Sequence, residues 1–131
     1  MAKKKTAVKK IAKKKVEPTS KQFALEAAKI ALERHCTDVV VLDLRGKSPA
    51  TDFFVIATGT SDRQTRTVAD EITEYGKKHK FSIFGLAGYE QGKWVLLDFV
   101  DVVVHIFDRE FRQYYDLELL WGDAEKLKIE E

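Results

Sequence analysis

Two aspartates in an apolar stretch are the side chains whose type and spacing come nearest to a catalytic pair. Asp98 and Asp101 are three positions apart, with Phe99 and Val100 between them. Two neighbouring carboxylates can hold the Mg²⁺ ions that clamp the attacking and leaving oxygens in nucleotidyl transfer. Residues on one face of a strand are two apart, however, and a turn is predicted between these aspartates. We therefore interpret them as acids suited to a turn, and we predict no metal site.

A second candidate for chemistry is the short loop Gly59-Thr60-Ser61-Asp62, which follows an apolar run. A glycine-containing turn at a helix N-terminus can hold a phosphate. The P-loop lysine and the three spaced glycines of a dinucleotide fingerprint are missing here. Ser61 and Gln64 have the spacing of a capping box, so helix capping is the favoured interpretation. A nucleotide-binding protein or degenerate nucleotidyltransferase is kept as the alternative function.

The histidines and the cysteine form no catalytic or metal-binding motif. His105 lies among valines, and no serine or cysteine is placed for it to activate. His35 and Cys36 are adjacent, but two potential ligands without partners do not make a metal site. We therefore predict no catalytic residue and no cofactor, and we expect that the chain is not an enzyme.

The elements that position these residues follow from hydrophobic periodicity. Trp94, Leu96 and Asp98 share one face of a strand, which a tight turn joins to a second strand ending at Phe107. Whether Trp94 belongs to the core or to the surface stays open, since tryptophan fills small cores and is also enriched at interface hot spots. Trp121 is assigned to the core. The other predicted elements are a helix from an N-cap at Ser20 to about residue 35, strands at 39–42, 53–58 and 81–84, a helix over 62–80 and a short helix over 109–115.

This order, α-β-β-α-β-β-β-α, predicts an α/β or α+β fold with a mixed sheet of about five strands. The two longer helices suffice to cover one face of the sheet. An apolar face that stays open usually marks a partner site. An open sheet could also pair with a second copy, so a homodimer is a possible state of the free protein.

The charge of the chain is divided between a basic tail and an acidic body. Residues 1–20 contain eight lysines and one glutamate, so the remaining residues, with 15 basic and 20 acidic side chains, carry a formal charge of −5. Like charges repel and little of residues 1–19 could be buried, so a disordered lysine-rich tail is expected. Contact with RNA and simple solubilisation both stay open for its lysines, which are Lys3, Lys4, Lys5, Lys9, Lys10, Lys13, Lys14 and Lys15.

Composition favours a cytoplasmic protein that has no membrane partner. No apolar run approaches the roughly 20 residues that cross a bilayer. The N-terminus lacks the apolar stretch of a secretory signal. The single Cys36 cannot form an internal disulfide, which suits a reducing compartment.

Several motifs, in order along residues 20–124, resemble the ribosomal silencing factor family, also called Iojap-related. We expect residues 20–124 to form the domain and residues 125–131 to fray. One departure is Val100, where members often have glycine in the tight turn. The matching motifs are DLRG at 43–46, TDFFVIATGTSDR at 51–63, GY at 88–89, Gly92, WVLLD at 94–98, DVVVHIF at 101–107, YDLE at 115–118 and LW at 120–121.

The resemblance implies a fold related to nucleotidyltransferases without their catalytic residues. It implies binding to the large ribosomal subunit through its fourteenth protein, on the face that meets the small subunit. A factor bound there would block subunit joining and lower translation when nutrients are short, without a cofactor. By the same analogy the partner contacts are assigned to Trp94, Leu96, Asp98, Tyr89, Tyr115 and Tyr114.

Overall fold

The part of the chain that the structure describes, residues 17–130, is built on one mixed sheet with helices on both of its faces. The structure is a computed structural model. The eight lysines of the predicted tail lie outside the described residues. In chain order the elements are α1 (Ser20–Glu33), β1 (Thr37–Asp43), β2 (Phe53–Thr58), α2 (Asp62–Lys78), β3 (Gly85–Ala87), β4 (Trp94–Asp98), β5 (Val102–Phe107), α3 (Arg109–Tyr114), α4 (Leu117–Leu120) and β6 (Glu125–Leu127).

The sheet has six strands in the order β3-β4-β5-β2-β1-β6. Strands β2 and β5 pair in parallel, with Phe53 opposite Val102 and Thr58 opposite Phe107, and every other pair is antiparallel. Both central strands are buried along nearly their whole length, which explains their continuous apolar sequences. The predicted mixed α/β fold is confirmed, with six strands instead of about five. The structural relationship to nucleotidyltransferases stays a prediction.

The two long helices cover one face of the sheet, as the sequence predicts. Phe23 of α1 and Ile72 of α2 are fully buried against Val55 and Val104 of the central strands. Helix α1 is capped by Thr19 and not by Ser20. The Thr19 hydroxyl accepts the backbone N–H of Gln22 at 3.1 Å, and the Gln22 amide oxygen accepts that of Thr19 at 2.9 Å. This reciprocal capping box fixes the start of the helix one residue earlier than predicted.

The opposite face is partly covered by the segment that follows β5. A second buried cluster there consists of Leu42, Leu44, Ile56 and Phe107. Trp121 packs on this cluster with its ring edge-on to Phe54, at 6.3 Å between centroids, which agrees with its assignment to a core. The chain after Phe107 therefore folds back over the sheet and covers much of the face that sequence patterning leaves open.

The predicted strand over residues 81–84 is wrong. The Phe81 ring stacks on Phe23 at 4.4 Å between centroids, so this residue packs against a helix instead of pairing along a strand. Phe84 is 78% exposed. The strand begins at Gly85, directly after the predicted range, with Gly85 opposite Asp98.

Both ends of the predicted domain extend further than expected. Residues 125–127, predicted to fray, form β6, in which Leu127 pairs with Val41. The carboxylate of Glu17, within the predicted tail, lies 3.5 Å from the imidazole of His79. Strand β6 has only three residues and two of them are charged, so hydrophobic alternation gives no signal for it.

The turn between β4 and β5 is tight and strained. Val100 has a φ of +75° and is 51% exposed. The N–H of Asp101 donates to the carbonyl of Phe99 at 3.0 Å, and the Asp98 carboxylate accepts the Val100 N–H at 2.8 Å. A β-branched residue with positive φ costs on the order of 1–3 kcal/mol. The departure from glycine noted in the sequence is thus a site of stored strain.

We expect Val100→Gly to raise the free energy of unfolding by about 1 kcal/mol. The strain energy released at this positive φ exceeds the additional entropic cost of ordering a glycine on folding. Urea denaturation of both proteins measures the difference. Ser82→Gly is the control, since Ser82 is exposed and lacks a positive φ, and it should lower stability slightly. A lower urea midpoint for Val100→Gly would contradict the conclusion that Val100 is strained in the folded protein.

Candidate docking surface

Trp94 lies at the start of β4 on the sheet face opposite the two long helices. Its side chain is half-buried. The indole ring contacts Phe107 at 4.8 Å and Tyr115 at 4.7 Å between centroids, and its Nε1–H donates to Nδ1 of His105 at 3.1 Å. One side of Trp94 therefore belongs to the second core cluster, and the other contacts the exposed segment after β5. The structure places it at the boundary between core and surface.

A glycine holds the neighbouring loop against the backbone of Trp94. Gly88 has a φ of +75°, and a Cβ at this position would lie 2.0 Å from the Trp94 carbonyl oxygen. No side chain can be accommodated without moving β4. The GY motif is thus explained by close approach to the strand that carries the tryptophan.

The segment after β5 exposes an unusual amount of apolar surface. Tyr114, Leu119 and Leu120 are each more than 70% exposed. Tyr115 links Tyr114 to the sheet, with its ring 4.8 Å from Tyr114 and 4.7 Å from Trp94 between centroids. All four residues lie within seven consecutive positions of the chain, and a large exposed apolar surface of this kind marks an interaction site. We define the docking surface as Trp94, Phe111, Tyr114, Tyr115, Leu119 and Leu120.

Three members of this surface were not predicted as contacts from the sequence. The sequence places Phe111 in the predicted short helix over 109–115, and Leu119 and Leu120 beyond that helix. Adjacent leucines in a four-residue helix cannot both face a core, because successive helical residues are about 100° apart. That geometric signal could have identified Leu119 and Leu120.

The remaining predicted contact residues are spread over the molecule. Leu96 is on the same face as Trp94 and lies opposite His105 in the sheet. Asp98 is at the far end of β4, where it caps the turn. Tyr89 packs against the core on the helix side, and its hydroxyl donates to Asp70 at 2.9 Å. This hydrogen bond raises the pKa of Tyr89. The structure brings Trp94, Leu96, Tyr114 and Tyr115 to one side, and leaves Asp98 and Tyr89 apart from them.

The loop that resembled a phosphate site is occupied by its own capping contacts. Ser61 accepts the N–H of Gln64 at 3.1 Å, and the Gln64 side chain accepts the N–H of Thr60 at 2.6 Å. An open cleft of about 510 Å³ adjoins the loop. Its Lys93 amine is 3.7 Å from Asp62 and 3.6 Å from Asp108. Because these carboxylates already neutralise the lysine and would repel a phosphate, the cleft is poorly suited to a nucleotide.

The structure also shows how the potential metal ligands and Cys36 are placed. Among residues 17–130, no three His, Cys, Asp or Glu side chains are grouped so that they could hold a metal ion. Cys36 is buried, and burial raises the pKa of its thiol to about 11. A thiol that stays protonated is a poor nucleophile and a poor metal ligand.

His105 is a buried histidine with only one of its ring nitrogens satisfied. It is 4% exposed, and its Nε2 has no hydrogen-bond partner among the described residues. An indole N–H can only donate, so Nδ1 must accept and the ring proton resides on Nε2. Burial lowers the pKa of His105 to about 4, and the ring is therefore neutral at physiological pH.

Arg112, whose side chain is only 13% exposed, anchors the segment after β5 to the sheet. Arg112 of α3 donates to the Asp38 carbonyl at 2.6 Å, to Thr58 Oγ1 at 2.8 Å and to Glu118 at 2.9 Å. Burial acts to raise the pKa of Glu118, but the hydrogen bond and charge of Arg112 and the charge of Lys126 together hold it below its ordinary value. One side chain thus joins β1, β2 and α4.

The surroundings of the docking surface are acidic. Residues 108–126 contain six acidic and three basic side chains, a formal charge of −3. Two of the three basic residues, Arg112 and Lys126, are paired with Glu118. The apolar surface is therefore bordered by excess negative charge, which suits a basic partner.

Comparison with known proteins decides the family. A family model described as ribosomal silencing factor during starvation matches residues 17–131. The chain belongs to the ribosomal silencing factor family. The family resemblance drawn from the sequence motifs is confirmed, and with it the class of the protein, a ribosome-associated regulator of translation.

Individual family members are similar over most of the chain. A ribosomal silencing factor of Halalkalibacterium halodurans is 41% identical over 112 residues, or 85% of this chain and 96% of that protein. The chloroplastic Iojap protein of Zea mays is 37% identical over 82% of this chain and 46% of its own length. A crystal structure of a Chromobacterium violaceum protein aligns with a TM-score of 0.71 at 33% identity, covering 85% of this chain and 89% of that one. Within residues 17–130, no helix is both long and apolar enough to span a bilayer.

We expect Arg112→Ala to lower the free energy of unfolding by about 2 kcal/mol, because it removes three hydrogen bonds and leaves the half-buried Glu118 with only Lys126 as a partner. Hydrogen exchange should also quicken across residues 115–127. The control is Arg109→Ala on the same helix, for which the described residues provide no hydrogen bond, and it should change stability by less than about 0.5 kcal/mol. Equal effects of the two substitutions would refute the conclusion that Arg112 holds the segment after β5 to the sheet.

We expect His105 to make the fold sensitive to acid. Its folded pKa of about 4 lies below the ordinary 6.5, so its contribution is fully present above pH 6.5 and is lost as the pH falls towards 4. The loss amounts to at most about 3 kcal/mol. Urea denaturation between pH 7 and pH 4 measures it, with His105→Leu as the reference that cannot titrate. Parallel pH profiles for the two proteins would show that His105 titrates normally.

Proposed function

We propose that this protein binds the large ribosomal subunit through its fourteenth protein and thereby blocks joining of the small subunit. Bound there, it lowers translation in the cytoplasm when nutrients are short. The mechanism is occupancy of a surface, so it requires neither a reaction nor a cofactor. The observation that carries the proposal is the docking surface, an exposed apolar and aromatic patch supported by the rigid sheet through Trp94 and Tyr115.

The composition of the docking surface supports a protein partner. Tryptophan and tyrosine are among the residues enriched at interface hot spots, because they bury large areas and lose little side-chain entropy. Trp94 and Tyr115 are already in contact with each other, so part of the surface is ordered before binding. Such preorganisation lowers the entropic cost of association.

The charge around the docking surface supports a basic partner. Residues 108–126 carry an excess of three negative charges. Complementary charge speeds encounter and selects against acidic partners such as exposed RNA backbone. A basic ribosomal protein fits this environment better than the phosphates of ribosomal RNA.

Two further partner assignments stay predictions. Contact of the N-terminal lysines with ribosomal RNA concerns residues outside 17–130. A homodimer of the free protein would compete for the same apolar surface if it formed there. The alternative function, a nucleotide-binding protein, lacks comparable support, because the three carboxylates that line the cleft beside Ser61 outnumber its two cations, Lys93 and Arg109.

We expect Trp94→Ala and Tyr114→Ala each to weaken binding to isolated large subunits by at least about 1 kcal/mol, or roughly fivefold in Kd. Phe84→Ala is a matched control, because Phe84 is 78% exposed and Tyr114 is 79% exposed, but Phe84 lies near the far end of β4. Thermal unfolding should confirm that all three variants fold. Equal weakening by Phe84→Ala would argue against this docking surface.

The blocking mechanism is tested separately by sedimentation of mixed subunits. Saturating protein should shift full ribosomes towards free subunits, and Tyr114→Ala should require a higher concentration for the same shift. Pull-down from dissociated large subunits should enrich the fourteenth protein. Full ribosomes that form unhindered at saturating protein would falsify the proposal.

A further inference from the structure

We propose that His105 is a positioning residue of the docking surface, which holds the indole of Trp94 in the orientation that meets the partner. The inference rests on the proposed function, since it concerns the same surface. His105 itself is 4% exposed and would not touch the partner. It acts through the hydrogen bond from Trp94 Nε1–H to its Nδ1, which is 3.1 Å long.

The hydrogen bond supplies an orientation that ring packing alone does not. Trp94 contacts Phe107 and Tyr115 with its rings tilted by 32° and 40°, and such contacts have no strong preference for one edge of the indole. Rotation of an aromatic ring about its second torsion is broad and roughly two-fold. A single acceptor below one edge of the ring selects one of the two orientations. His105 is in place to do this because Leu96, its partner across the strands, is two residues from Trp94.

The surroundings of His105 give the fold no evident reason for a polar residue. Its neighbours in the sheet are Ile56 and Leu96, and its ring packs edge-on against Phe54 at 4.5 Å between centroids. Its Nε2–H finds no acceptor among the described residues, which is a cost that folding must offset. A leucine at this position would pair with the same neighbours without that cost. The hydrogen bond that the imidazole accepts from Trp94 thus accounts for a polar ring at this position.

The indole N–H does not need this bond for its own solvation. Trp94 is half-buried and lies beside the exposed Tyr115, so water could satisfy the donor if the ring turned. Loss of His105 should therefore leave the fold intact and release the indole. The cost should appear on binding, when the freed ring must again be immobilised.

The experiment uses the full chain with His105→Leu and His105→Asn. Asparagine carries its amide oxygen on Cγ, where histidine carries Nδ1, so it can restore the acceptor. Two readouts are taken, namely the proton–nitrogen NMR signal of the Trp94 indole N–H with its exchange rate, and the Kd for isolated large subunits. A Trp121→Phe chain assigns the indole signals, since the protein has two tryptophans.

With His105→Leu we expect the Trp94 signal to move and to exchange faster with water, unfolding to occur at an equal or higher urea concentration, and binding to weaken about threefold to tenfold. With His105→Asn we expect slow exchange and most of the affinity to return. An unchanged indole signal in His105→Leu overturns the inference, as does unchanged affinity. Failure of His105→Leu to fold, or of His105→Asn to restore binding, also overturns it, because the imidazole would then have a purely structural role.

Trp94→Ala in the same assay separates this inference from the proposed function. If Trp94→Ala weakens binding and His105→Leu does not, positioning by His105 is wrong and the docking surface stands. If neither weakens binding, Trp94 is not a contact, and both the inference and the proposed surface are wrong.

Discussion

The parallel pairing of β2 with β5 is the constraint on which the other parts of this fold depend. Two parallel neighbours cannot be joined by a tight turn, so the chain between them must cross over one face of the sheet. The crossover contains α2, β3 and β4, and β4 returns as the antiparallel neighbour of β5. Trp94 is thereby delivered beside Phe107, at the point where the chain leaves the sheet for its last segment. The position of the tryptophan follows from the topology of the strands.

The same pairing makes the two faces of the sheet unequal. Val55 and Val104 point to the long helices, while Ile56 and His105 point to the opposite side. The helix side is closed by two elements long enough to bury a continuous stripe. The opposite side is covered by helices of six and four residues, which are too short to be stable alone. They are held by Arg112, by Trp121 and by the contact between Tyr115 and Trp94. The two short helices have no core of their own, so the apolar residues that they expose are held in place by these polar and aromatic contacts.

The sequence predicted those parts of the fold that have strong periodicity. Both long helices, the buried strands β1 and β2, and the pair β4–β5 appear where the patterns indicate, because each has enough buried residues to fix its period. Strands β3 and β6 have three residues each and exist only through pairing with a neighbour, so local sequence carries almost no signal for them. For the candidate site, patterning left Trp94 undecided, and the structure explains why, since this side chain contacts both core and surface. Tyr89 could not be placed from sequence, because its loop bends around Gly88 and directs the ring to the helix side.

The contact between Glu17 and His79 has a consequence for the whole molecule. It places the first described residue at the C-terminal end of α2, on the helix side of the sheet. The described part of the chain thus begins on the side of the sheet opposite Trp94 and Tyr115. A molecule that binds at Glu17 would therefore leave the aromatic surface accessible to a second partner.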